Sequence, residues 1–75
     1  MRVKVAANDL KVGQICYLPF FGSLRRSKIL EINKNKEKNL LTLTYVVFCS
    51  EQNYKNVCTF SEPNIKGFLI YKRPK

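Results

Sequence analysis

Between residues 40 and 48 the chain reads LLTLTYVVF. Leu41, Leu43, Tyr45 and Val47 fall on one face, and Thr42, Thr44 and Val46 on the other. This period of two predicts a β-strand with one face in a core. Four shorter stretches rich in β-branched and aromatic residues predict further strands: VGQICYL (12–18), SKILEI (27–32), VCTF (57–60) and FLIYKR (68–73). In 12–18 both faces are apolar, so Cys16 and Leu18 point inward and Ile15 and Tyr17 outward, or the reverse. The same choice is open in 68–73, between Phe68 with Ile70 and Leu69 with Tyr71.

Polar stretches separate the strands. NKNKEKN (33–39) carries three asparagines, which tolerate left-handed backbone, and predicts a hairpin loop. SEQNYKN (50–56) predicts the next turn. In SEPNIKG (61–67), Ser61 as a cap, Pro63 and the closing Gly67 predict one helical or 3₁₀ turn before the last strand. No stretch of ten residues has helical period, and there is no repeat, low-complexity tract or domain boundary, so residues 1–75 read as one domain.

Five short strands in so small a chain imply a bent sheet, because closing it protects strand edges. The expected fold is all-β. Its order of elements, over residues 9–73, resembles the SH3-like small barrel: five strands, with a short 3₁₀ turn before the last. Residues 10–32, LKVGQICYLPFFGSLRRSKILEI, are similar to the opening of KOW and Tudor-type modules. The resemblance implies that Gly13 ends the turn into the first strand and that Phe21 and Gly22 lie in the loop leading to the second. Gln14 stands where those modules usually have an acidic residue, and Ser27 where a second glycine is common. The resemblance places no chemistry on any residue.

Charge narrows the function. Fourteen Lys and Arg against five Asp and Glu give +9, a field that attracts polyanions. The expected partners are nucleic acid (RNA or single-stranded DNA) or an acidic protein surface, with self-association through an apolar outer face also open. No histidine is present, the five acids are scattered, and no glycine-rich phosphate cradle occurs, so neither an enzyme nor a metal or cofactor site is expected. Cys16, Cys49 and Cys58 show no C-x-x-C spacing. They read as reduced thiols of a cytoplasmic protein, with a Cys49–Cys58 bridge across a hairpin as the alternative. Asp9 and Lys11 interrupt the basic N-terminus before any export signal forms, and the longest apolar-leaning run is too short for a membrane span. The abundance of Lys and Asn is compatible with an AT-rich genome, such as that of a phage.

The candidate binding residues follow from PFFGSLRR (19–26), where rings and arginines meet in an expected loop. Either one of Phe20 and Phe21 plugs an open barrel end, or an exposed ring joins Arg25 and Arg26 in one contact surface. Tyr17 and Tyr54 add stacking rings, Tyr54 from a polar turn. Lys28, Lys34, Lys36, Lys38 and Lys55 add phosphate contacts. The same loop suits a rival role, in which a phenylalanine enters a pocket of a larger protein and the arginines sit on the rim.

Overall fold

The computed structural model describes residues 2–62 and 66–71. In it the alternating stretch 40–48 is a strand of the expected extent, with Leu41, Leu43, Tyr45 and Val47 fully buried. In chain order the strands are β1 (Arg2–Val5), β2 (Ile15–Phe20), β3 (Ser23–Asn35), β4 (Leu40–Phe48), β5 (Asn53–Ser61) and β6 (Phe68–Tyr71). One 3₁₀ turn lies at Ala7–Asp9. The strands form a single antiparallel sheet in the order β1-β6-β2-β3-β4-β5.

The fold is therefore all-β, with six strands instead of five. The hydrogen-bonded order ends at β1 and β5, so the sheet is not closed into a barrel. The added strand is the basic start of the chain. Val3 and Val5 lie opposite Ile70 and Phe68, and the alternation leaves Arg2 and Lys4 exposed on the other face. A short edge strand with charged side chains also resists unwanted edge pairing. The 3₁₀ turn precedes β2. The turn expected over 61–67 centres on residues outside those described, and Ser61 is the last residue of β5. Lys72, Arg73 and Lys75 lie outside the described residues too.

Strand β3 shapes the molecule. It runs for 13 residues where the sequence predicted six, because it pairs with two different strands along its length. Residues Ser23–Lys28 face β2, residues Ser27–Asn35 face β4, and only Ser27 and Lys28 have both partners. Just past this handover the register with β4 shifts between Ile29 and Glu31. The shift is a β-bulge at Leu30, and it resolves a conflict in the sequence. Ile29 and Ile32 are an odd number of positions apart, so a regular strand would send them to opposite faces. With the extra residue Ile29 meets Tyr45 and Ile32 meets Leu43, both on the core face, while Leu30 stays exposed. A bulge also bends its strand and increases its twist.

The bend brings together strands that are not neighbours in the sheet. Phe60 of β5 meets Phe68 of β6 edge to face, 5.0 Å between centroids. Phe20 of β2 stacks on Tyr54 of β5 at 5.6 Å. The Tyr45 hydroxyl donates to the carbonyl of Pro19 at 2.5 Å, and the Asn56 amide donates to the Tyr45 oxygen at 3.0 Å and to the same carbonyl at 3.4 Å. Pro19 suits this place for a physical reason. The Ile29 N–H donates to the Gln14 carbonyl, and alternation along the ladder then puts Pro19 at a position that needs no donor toward β3. Its carbonyl points away from β3, beyond the last β2–β6 pair at Cys16 and Tyr17, and side chains satisfy it there.

The core settles both open choices of face. Cys16 and Leu18 point inward, as do Phe68 and Ile70, with Val5, Ala7, Leu10 and Ile29 completing the cluster. The buried Ser27 hydroxyl donates to the Arg25 carbonyl at 2.9 Å, so it is not left unsatisfied. Gly13 holds φ +89 in the turn into β2, where its N–H bonds the Ile29 carbonyl at 2.7 Å. The Cys49–Cys58 bridge is excluded by register. Cys58 lies opposite Leu43, roughly 20 Å along β4 from Cys49 at the strand spacing, and all three cysteines are free.

Two outcomes are expected. Replacing Tyr45 by Phe removes the hydroxyl that ties β4 and β5 to Pro19 and lowers stability by about 1 kcal/mol, read from urea unfolding. Burial pushes the Cys16 thiol up to about 11, against a weaker opposing effect of backbone hydrogen bonding at Tyr17. The folded state thus holds this proton more tightly than the unfolded chain, whose thiol titrates near about 8.5. Stability is intact below that pH and falls as pH rises from there toward 11. Cys16→Ala flattens that alkaline limb in an unfolding series against pH.

Candidate nucleic-acid interface

The cross-strand register sorts the predicted binding residues by face. On the outer face, away from the core, one row across the sheet is Lys4, Leu69, Tyr17 and Arg26. The next row, two residues along, is Ile15, Lys28, Val46 and Lys55. Arg2 joins them, its guanidinium carbon 4.8 Å from the centroid of the Tyr17 ring. Five cations, Arg2, Lys4, Arg26, Lys28 and Lys55, therefore share one face of a strand scaffold, each exposed. They stand on elements whose spacing is fixed by backbone pairing, at about 4.8 Å between strands and about 7 Å between rows.

The Arg2–Tyr17 contact alters the role expected of Tyr17. The ring is half-buried, and a guanidinium already occupies one of its faces. Cation–π attraction holds that charge on the sheet, with about 0.5–1 kcal/mol typical at exposed sites. Arg2 and Lys4 were not among the residues expected from sequence. The signal was present in the alternation Arg-Val-Lys-Val at positions 2–5, which is a short strand with its charges on one side.

The remaining candidates lie elsewhere. Arg25 and Arg26 do not form one surface, because adjacent strand residues point to opposite faces. Arg25 is opposite Leu18 on the core side of the ladder, exposed beyond the end of β4, whereas Arg26 is opposite Tyr17 on the outer face. Lys34 reaches back to the Asn8 side-chain carbonyl at 3.2 Å. Lys36 and Lys38 occupy the β3–β4 turn, where the Lys38 N–H bonds the Asn35 side chain and Asn39 takes φ +53. That turn is at the far end of β3 from the β2–β3 turn, so its lysines do not join the first cluster.

Phe20, Phe21 and Tyr54 form the second cluster. Tyr54 belongs to the start of β5 instead of a turn, because pairing with β4 already begins at Asn53 opposite Phe48. Its ring lies on Phe20, which is half-buried against the core. Phe20 thus plugs the end of the sheet. Phe21, in contact with Phe20 at 4.6 Å, is 92% exposed. Phe21 and Gly22 hold φ +48 and +78 and close the β2–β3 hairpin as a two-residue turn. Two positive φ values are the type I′ pattern, which asparagine and glycine favour and a bulky side chain resists. Beyond its edge contact with Phe20 the ring is left to solvent on a strained backbone, which makes Phe21 a candidate contact residue.

Among the described residues, no three His, Cys, Asp or Glu side chains gather as metal ligands would, and no helix is long and apolar enough to cross a membrane. The turn strain carries its own expectation. Phe21→Asn stabilises the protein by about 1 kcal/mol, seen as a higher Tm, because asparagine tolerates the left-handed position. No protein family, curated protein or solved structure matches this chain.

Proposed function

We propose that this chain is a non-catalytic module that binds single-stranded RNA or DNA across the outer face of its sheet. The observation that carries the reading is that Arg2, Lys4, Arg26, Lys28 and Lys55 all stand on the outer face of the curved sheet, with Tyr17 among them. Cations held at strand spacing suit a phosphate chain, and the ammonium groups of lysine contact phosphate without sequence preference. Strands β2 to β5 form a meander and β6 returns beside β2. That order supports reading the sheet as an SH3-like barrel of KOW or Tudor type with β1 added at its edge. Three free cysteines suit a reducing compartment such as the cytoplasm.

A second reading is favoured by Phe21 alone. Its exposed ring at a hairpin tip, backed by Phe20 and Tyr54, has the form of an anchor for a protein pocket. Salt separates the two uses. Binding through five phosphate contacts falls with a slope of about −3.5 in log affinity against log salt on a single strand. The double variant Arg26→Ala, Lys28→Ala shortens that slope by about 1.4, whereas Phe21→Ala leaves it unchanged. Fluorescence anisotropy of a labelled single strand over a salt series measures both. An unchanged slope in the double variant rejects the outer face as the binding surface.

A further inference from the structure

The β2 strand outlasts its pairing with β6, and the gap beyond that pairing is a cleft of about 270 Å³. Its walls include Tyr17 and Leu24 on the β2–β3 side and Phe60, Ser61, Glu62 and Phe68 on the other. Phe60 and Phe68 pack edge to face, so they form one continuous aromatic wall. Clefts that enclose drug-sized ligands start near about 300 Å³, so this one suits a single ring system.

Two features point to what enters it. The cleft shares Tyr17 with the basic face, and Leu24 stands two residues from Arg26 on the same side of β3. A ring in the cleft is therefore flanked by cations suited to a phosphate chain. Glu62, by contrast, lines the cleft with an acidic, exposed residue on a left-handed backbone at φ +53. Non-glycine residues persist in that conformation where the surroundings enforce it, often at ligand clamps. A carboxylate only accepts hydrogen bonds, so it repels phosphate and selects a ring edge that donates.

We infer that this cleft takes one unpaired nucleobase of the bound strand and that Glu62 favours guanine, whose N1–H and N2–H₂ donors lie side by side. The inference rests on the nucleic-acid reading of the outer face. It adds a reason for single-strand preference, since a paired base cannot leave its stack without cost. Aromatic walls supply stacking or edge contact for the ring, and the Watson–Crick edge is free to be read only in an unpaired nucleotide.

The test uses a labelled single-stranded dodecamer of abasic sites carrying one central dG, one central dT or no base, at low salt. The expected result is binding of the dG probe about tenfold tighter than the baseless one, within the range that stacking on aromatic side chains supplies. The dT probe should fall between them. Ser61→Trp, at an exposed position, fills the cleft and should abolish the base effect while leaving the baseless probe bound. Glu62→Gln should narrow the gap between dG and dT. Equal affinity for all three probes overturns the cleft inference and leaves the basic face standing. No binding of any probe overturns both. A base effect that survives Ser61→Trp places the base elsewhere and overturns the assignment of this cleft.

Discussion

The bulge at Leu30 is the constraint on which the rest of the molecule depends. Without it, Ile29 and Ile32 could not both contribute to the core. With it, β3 bends where it passes from β2 to β4, and one sheet supplies two facing halves. The Phe60–Phe68 and Phe20–Tyr54 ring pairs and the Tyr45–Asn56–Pro19 hydrogen bonds all cross between those halves. They replace with side chains the backbone ladder that a closed barrel would have between its first and last strands.

That arrangement also determines where function can reside. The inner face is committed to packing, so the outer face is where charge can accumulate without desolvation. Strand pairing orders the charges there in rows, and the Tyr17 ring holds Arg2 in place. The incomplete pairing of β2 with β6 opens a cleft beside those rows. Positive φ at Phe21 and Glu62 marks two places where backbone geometry is locally unfavourable. One lies at the hairpin tip and the other lines the cleft, so both belong to the two candidate contact surfaces.

The legible parts of the fold were those governed by local periodicity. The period of two in residues 40–48 identified β4 and its buried face without reference to any other strand. The asparagines of 33–39 marked a turn because their side chains tolerate left-handed backbone, and Asn39 adopts it. β3 was read short because its outer half, SLRR, carries no alternation and is held in the sheet only by β2. The alternation of Arg2–Val5 carries a strand signal, but its place in the sheet is not local, because its pairing partner is β6 at the other end of the chain.

By itself the sequence determined the all-β class, the positive charge and the residue types available for contact, since each follows from composition or from neighbours a few positions apart. Tertiary structure decided which of those residues act together. Arg25 and Arg26 are adjacent in the chain and opposed in space, because a strand alternates its faces. Arg2, Tyr17, Arg26 and Lys55 are distant in the chain and lie on the outer face of one sheet, because pairing through all six strands places them there. Register between strands is a long-range quantity, set by how the core packs, and no local pattern encodes it.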